Sequence, residues 1–324
     1  MLRVLLPLTF CIAGVFAGTE PVREVISQAN LVGNQLIPRF YNGYLYYLGE
    51  GRPSQLRLYA PDGHLVLATD LQEPGGSPPN LTGLAIDTDG TIAVSYFDAG
   101  KVNRGGIEFL DSTGKRTGGI DTQNYLPGNL CYAEDHSLWS FGGQQDKDNP
   151  GRRDRQDYML VRKYSGGKQV GAYLPRSGFP DPLEPGTESW QEMRIAITHD
   201  RVGVLAWRET SEDLEWVELD LNGNLTGRWR FSGGRSETSF AFTSDNHLYA
   251  LRRDRGAKVR QLAVFDRASS AWKEVEAPIN GALYGADGDE LVFAGWGNGP
   301  MHLLWFKQPE APVPPSLPAP ATTP

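Results

Sequence analysis

The residues Asp87-Thr88-Asp89-Gly90 place two carboxylates and a glycine in the order in which many calcium-binding loops begin. An EF-hand loop needs further oxygen ligands and a glutamate at its twelfth position. Here the twelfth position is Asp98, and the intervening stretch TIAVSYF (91–97) is predicted as a strand that offers no ligands between them. The competing interpretation is a hairpin turn, because Asp-Gly between apolar runs is a strong signal for one.

Other residues that carry chemistry form no catalytic or zinc-binding motif. The five histidines are dispersed along the chain, and the zinc motifs HExxH and CxxC are absent. The nucleophile motif GxSxG is absent too. The stretch GWGNGP (295–300) precedes a predicted strand, whereas a phosphate loop must precede a helix. No motif therefore fixes a reaction.

The Asp89-Gly90 pair belongs to a repeat along the chain. Each turn pair leads into a strand of aromatic and β-branched residues, and the pairs are Asn42-Gly43, Asp89-Gly90, Asp135-His136, Asp200-Arg201, Asp245-Asn246 and Asp287-Gly288. A later apolar strand in each unit carries one anchor, and the anchors are Tyr59, Leu110, Tyr164, Leu219, Phe265 and Phe306. A metal loop would not tolerate such variation at the turn, so the repeat favours the hairpin.

Each unit is predicted as strand, tight turn, strand, variable loop, strand, turn and strand. Four antiparallel strands in roughly 40–50 residues are typical of a propeller blade. The six units predict an all-β fold, a six-bladed β-propeller. The last unit has only three strands before the proline-rich tail, and the segment REVISQAN (23–30) is expected to add the fourth strand and close the ring.

The two ends of the chain differ from the repeats. Residues 1–17 combine Arg3 with a short apolar run and are predicted to be a signal peptide rather than a membrane anchor. The propeller is assigned to residues 18–307, and the proline-rich tail 308–324 is predicted to be disordered. Signal removal leaves Cys131 as the remaining cysteine, which is predicted to be a buried, inert thiol. The protein is therefore expected to be secreted or periplasmic.

The stretch NLTGLAIDTDGTIAVSYFDAGKVNRGGIEFLDSTGK (80–115) resembles the repeat of NHL-type six-bladed propellers. More broadly it resembles the superfamily of TolB-like and gluconolactonase-like propellers, over about residues 23–307. The gluconolactonase-like resemblance implies a divalent metal such as Ca²⁺, held in the channel by one Glu, one Asn and one Asp. Glu192 or Glu237 with Asn129 would supply two of these ligands, and no Asp stands out as the third.

Polar residues recur where the innermost strand of each blade is expected to begin, at the channel mouth. They are Arg39, Asn80, Asn129, Glu192, Glu237 and Asn280, and Trp296 and Asn298 are expected near the same channel. This set is predicted to bind a polar ligand or a cation. The alternative is that these groups cap strand ends and hold channel waters, since buried polar groups need partners. The charged insert 142–157 is either a solvated loop or a partner-binding projection.

Two functions remain open at this point, beside a third in which the chain is a sensor or extracellular domain whose proline-rich tail once linked it to something else. The first is a binding or scaffolding module for an unknown protein or a small polar ligand, with no catalytic residue and no assigned metal. The alternative is a metal-dependent hydrolase or lactonase at the channel mouth. The net charge of −8 argues against a nucleic-acid partner. No membrane span is expected after signal removal, and the chain is expected to be a monomer.

Overall fold

The described part of the chain is dominated by β-strands. The structure, a computed structural model, describes residues 20–26, 39–41, 44–48, 55–60, 62–71, 79–98, 104–148, 157–178, 194–207, 214–231, 239–252, 260–295 and 302–309. Among these residues the helical structure is one 3₁₀ turn, Arg176–Gly178. No helix in these ranges has the length and apolar character needed to cross a membrane.

The first three sheets each comprise four consecutive strands. The first sheet contains β2 (Arg39–Tyr41), β3 (Tyr44–Leu48), β4 (Gln55–Tyr59) and β5 (Leu65–Asp70). The second contains β6 (Asn80–Ile86), β7 (Ile92–Asp98), β8 (Arg104–Leu110) and β9 (Arg116–Gln123). The third contains β10 (Tyr125–Tyr132), β11 (Leu138–Gln144), β12 (Met159–Ser165) and β13 (Lys168–Pro175).

The fourth and fifth sheets also comprise four consecutive strands, whereas the sixth includes the N-terminal strand β1. The fourth contains β14 (Arg194–Ile197), β15 (Arg201–Trp207), β16 (Leu214–Asp220) and β17 (Leu225–Phe231). The fifth contains β18 (Ser239–Phe242), β19 (Leu248–Arg252), β20 (Gln261–Asp266) and β21 (Ala271–Val275). The sixth contains β22 (Ala282–Asp287), β23 (Glu290–Gly295), β24 (His302–Lys307) and, from the N-terminal end, β1 (Arg23–Ile26).

The N-terminal strand β1 pairs antiparallel with β24, with Arg23 opposite Trp305. Arg23 also donates a hydrogen bond to the Asp287 carboxylate over 2.7 Å, and its guanidinium lies 3.8 Å from the centre of the Trp305 ring. The sixth sheet therefore takes its fourth strand from the other end of the chain.

Burial within each sheet explains the sequence pattern of its strands. The middle strand β11 is buried at almost every position, because it packs on both faces. The edge strand β13 instead consists of exposed and half-buried residues. The apolar core lies between pairs of sheets, as where Phe141 of β11 packs in one cluster with Val204 of β15. Four-stranded antiparallel blades packed in this way make the fold an all-β propeller.

The hairpin interpretation of Asp87-Thr88-Asp89-Gly90 is confirmed, because the turn joins the antiparallel strands β6 and β7. The amide of Asp87 donates to the carbonyl of Thr91 over 2.8 Å, and the amide of Gly90 donates back to the carbonyl of Asp87 over 3.0 Å. In this turn Gly90 has a positive φ of 86°, and His136 and Asn246 take the equivalent place with φ of 60° and 68°. This is a three-residue loop that ends in a left-handed residue.

The buried-thiol prediction for Cys131 is confirmed. Its side chain is buried, and burial raises the pKa of the thiol. The predicted signal peptide and residues 310–324 of the predicted tail lie outside the described residues, so both stay predictions.

Candidate functional site

Three of the residues predicted at the channel mouth lie at or near the start of a first strand. Arg39 begins β2, Asn80 begins β6, and Asn280 lies two residues before β22. Strand β2 lies beside both β6 and β22. The three positions are therefore at or near the starts of neighbouring strands, and their role in binding stays a prediction.

The placement of Asn129 at the start of its strand is wrong. Strand β10 begins at Tyr125, and Asn129 lies inside it, opposite Phe141, immediately after a register shift. Its amide nitrogen donates to the carbonyl of Gly128 over 2.6 Å. The error arose because the sequence repeat locates the start of a strand only to within a few residues.

The remaining predicted site residues, Glu192, Glu237, Trp296 and Asn298, lie outside the described residues. Within the described ranges, no three His, Cys, Asp or Glu side chains are grouped closely enough to hold a metal ion. The described residues thus assemble nothing that favours the hydrolase alternative.

A polar groove lies between the second and third sheets. It has a volume of about 580 Å³, which is within the usual range for small-molecule sites. The edge strand β9 and the chain that follows it form one wall, and β12 and β13 contribute to the other. The lining residues are Gly119, Ile120, Asp121, Thr122, Gln123, Asn124, Gln144, Lys147, Arg162, Tyr164, Gly167, Lys168 and Gln169. We call this cavity the Arg162 groove.

Arg162 is held rigidly in this groove by uncharged groups. Its guanidinium carbon lies 3.8 Å from the centre of the buried Tyr125 ring. One terminal nitrogen donates to Oε1 of Gln144 over 3.0 Å, and the other donates to Oε1 of Gln169 over 3.2 Å. A planar guanidinium fixed on one face and at two nitrogens is pre-organised for recognition of a ligand.

The connection between β9 and β10, at the rim of the groove, has a constrained backbone. Gln123 has a positive φ of 57°, which is uncommon for a residue other than glycine and is often found at functional sites. The hydroxyl of Thr122 donates to the carbonyl of Tyr125 over 2.7 Å. A Cβ added at Gly105 would approach that same carbonyl to 2.0 Å, so only glycine fits beside this connection.

The groove is cationic although the whole chain carries a net charge of −8. Arg162, Lys147 and Lys168 have no carboxylate partner in the described part of the chain. The carboxylate of the lining residue Asp121 is instead paired with Arg104, and this hydrogen bond is the main reason that the pKa of Asp121 is lowered. The local excess of positive charge suits an anionic ligand.

The sequence did not single out the Arg162 groove. Gln144 and Lys147 lie at the start of the charged insert that the sequence marked as distinctive, whereas Arg162 and Gln169 occur within predicted strands. The available signal was Arg162 next to Lys163 in a strand whose other residues are mostly apolar. The other lining residues of the groove could not be identified, because they come from separate strands and from two sheets.

The comparisons with known proteins concern the fold. No protein-family model and no curated protein matches the chain. Hydrazine synthase from Kuenenia stuttgartiensis is similar in structure, with a TM-score of 0.51 and 11% identity over 82% of this chain and 76% of that chain. A gluconolactonase from Xanthomonas campestris has a TM-score of 0.47 and 13% identity, over 91% of this chain and 100% of that chain. TolB from Acinetobacter baumannii has a TM-score of 0.45 and 14% identity, over 82% of this chain and 63% of that chain. At such identities a structural likeness concerns architecture and leaves function open.

Proposed function

We propose that the chain is a ligand-binding propeller module whose site is the Arg162 groove. The observation that carries this proposal is the fixed guanidinium of Arg162, which is held by Tyr125, Gln144 and Gln169 and lacks a carboxylate partner among the described residues. A charge that is partly removed from water is costly unless another group compensates it. A small polar ligand with a negative group would supply that compensation through charge-assisted hydrogen bonds.

We propose further that the six sheets are the blades of one closed ring. Among the described residues, each of six apolar clusters joins two sheets. They join the first and second (Leu58, Leu84), second and third (Ala85, Leu138), third and fourth (Phe141, Val204), fourth and fifth (Trp216, Phe240), fifth and sixth (Leu251, Phe293), and sixth and first (Trp305, Tyr59). This cycle of contacts supports closure, which would leave no open end in the array.

The module is proposed to work outside the cytoplasm, as a monomer, after loss of residues 1–17. The support is the apolar N-terminal run that follows Arg3. Intact mass of the exported protein should match a chain that begins at Gly18, and light scattering after gel filtration should give the mass of one chain. A retained N-terminus or a dimer mass would contradict these parts of the proposal.

Ligand-observed saturation-transfer NMR on the full chain tests the groove as a binding site. The probes are amino acids, nucleotides, dicarboxylic acids and mono- and disaccharides, each measured separately. At least one probe should give a signal that is lost in Arg162→Ala. The matched control is Arg252→Ala, because Arg252 also lies over an aromatic ring, that of Trp272, but does not line the groove.

Thermal unfolding of both variants checks that they fold. Binding that survives Arg162→Ala in a folded protein, or no binding by any probe, would overturn the assignment of the groove.

A further inference from the structure

We infer that the Arg162 groove binds a saccharide that carries an anionic group, a carboxylate or a phosphate. This inference rests on the proposed function and specifies its ligand. It depends on three features of the groove: its unpaired cations, its side-chain amides and its shortage of apolar surface.

The cations define one end of the expected ligand. Arg162 comes from β12, Lys168 from the start of β13, and Lys147 from the chain after β11. Lys147 and Lys168 are exposed, and the side chain of neither makes a hydrogen bond or an ion pair with another described residue. They are therefore available to an anionic group that also reaches the less mobile Arg162.

The amides suit hydroxyl groups on the rest of the ligand. Gln123, Asn124, Gln144 and Gln169 all line the groove. Because Oε1 of both Gln144 and Gln169 accepts from Arg162, the orientation of these two amides is fixed, and each turns its NH₂ group away from the guanidinium. The amide nitrogen of Asn124 donates to the carbonyl of Gln145 over 2.8 Å, which leaves its oxygen as an acceptor. A sugar hydroxyl both donates and accepts, so it matches such a mixed set.

The lining is poor in apolar surface, and this favours a saccharide over a peptide as the ligand. Ile120 and Tyr164 are the large apolar or aromatic residues among the described lining residues. Peptide sites usually depend on apolar or aromatic anchors buried in pockets. The volume of about 580 Å³ is sufficient for a mono- or disaccharide. A small anionic sugar therefore fits the groove better than an acidic peptide does.

Isothermal titration calorimetry on the full chain tests this inference with five named probes. They are D-glucuronate, glucose 6-phosphate, D-glucose, L-glutamate and inorganic phosphate. At least one of the two charged sugars should bind at least tenfold more tightly than D-glucose, L-glutamate and inorganic phosphate. The comparison of D-glucuronate with glucose 6-phosphate shows whether the preferred anion is a carboxylate or a phosphate.

A double variant, Lys147→Ala with Lys168→Ala, should bring the affinity for the charged sugar to within about threefold of that for D-glucose. The control is Lys307→Ala, an exposed lysine on β24 that does not line the groove. The affinity should be unchanged in this control. Because both substitutions are at exposed positions, loss of folding is not expected.

The outcomes distinguish this inference from the proposed function. Equal affinity for D-glucose and both charged sugars would overturn the anionic part and leave the groove as a binding site. Equal affinity for L-glutamate or inorganic phosphate would overturn the saccharide part. If none of the five probes binds but another solute binds in an Arg162-dependent manner, this inference fails while the proposed function stands.

Discussion

The guanidinium of Arg162 lies over the ring of Tyr125, with its central carbon 3.8 Å from the ring centre. This contact joins the first and third strands of the third sheet across β11. The Tyr125 hydroxyl continues the link, since it donates to the carbonyl of Leu160 over 2.9 Å and lies 3.0 Å from Oγ of Ser140. The base of the Arg162 groove is therefore part of the buried core of its blade.

Tyr125→Phe should destabilise the protein by about 1–3 kcal/mol, because the substitution leaves buried polar groups without their partner. Urea unfolding at neutral pH measures this change. The control is Tyr44→Phe, because the Tyr44 hydroxyl makes no hydrogen bond to another described residue, and its unfolding midpoint should hardly move. Equal midpoints for the two variants would contradict a structural role for the Tyr125 hydroxyl.

Glu218→Leu should destabilise the protein by about 3–5 kcal/mol, because the substitution removes the common partner of two partly buried arginines and the buried Trp216. The Glu218 carboxylate is fully buried and accepts from Arg201 over 2.7 Å, from Arg267 over 3.0 Å and from Trp216 over 2.8 Å. Chemical unfolding measures the effect. Lys273→Ala breaks the exposed pair with Asp266 and should cost less than about 1 kcal/mol.

The contribution of Glu218 should depend on pH. Burial raises the pKa of Glu218, but the hydrogen bonds from Arg267, Trp216 and Arg201 outweigh it, so the net pKa is lowered below 4.5. The stabilisation is thus present above pH 4.5 and is lost as pH falls through the pKa of the folded state. The stability difference between wild type and Glu218→Leu should shrink on acidification. A difference that stays constant from neutral pH to pH 3 would contradict this assignment.

The contribution of Glu108 to stability should depend on pH in the opposite direction to that of Glu218. Glu108 is 3% exposed, and its partner is the half-exposed Arg116, 3.4 Å away. Burial raises the pKa of Glu108 above 4.5 and Arg116 offsets this only in part, so stability should fall as pH rises from 4.5 through the pKa of the folded state. At neutral pH, Glu108→Leu should be as stable as wild type or more stable by about 1 kcal/mol. A loss of stability at neutral pH as large as that expected for Glu218→Leu would contradict this prediction for Glu108→Leu.

His136 should stabilise the contact between the second and third sheets in its protonated form. Its Nδ1 lies 3.0 Å from both carboxylate oxygens of Asp87, and this hydrogen bond is the main cause that raises the pKa of His136 above 6.5. The stabilisation is therefore complete below pH 6.5 and is lost as pH rises through the raised pKa. NMR titration should show the pKa of His136 falling toward 6.5 in Asp87→Asn. The control is Asp62→Asn, which alters a different turn, and the pKa of His136 should not change in this variant.

Removal of strand β1 should open the sixth sheet. A chain that begins at residue 27 lacks the Arg23–Asp287 ion pair and the strand opposite Trp305. It should unfold at a lower temperature than a chain that begins at residue 18, and protease should cleave it faster. Truncation after residue 309 is the control and should have little effect. If the N-terminally truncated chain does not fold, Arg23→Met, which removes only the ion pair and ring contact, should still lower the unfolding temperature.

The sequence predicted the repeat well because a blade is a local unit. The tight turns between β6 and β7 and between β10 and β11 lie where Asp89-Gly90 and Asp135-His136 indicated. The residue with positive φ is the last in each of these turns, Gly90 or His136. Turn position follows from composition, but turn type depends on loop length, which composition determines only to within a residue.

By itself the amino-acid sequence determined the order of strands and turns, because alternating apolar patterns and turn residues act over a few positions. It also determined that Cys131 would be buried. The tertiary structure alone decided that Arg162 lies over Tyr125 and between Gln144 and Gln169, and that Asp87 meets His136. These contacts join residues on different strands or turns, and only the packing of strands within a blade and of blades against each other brings them together.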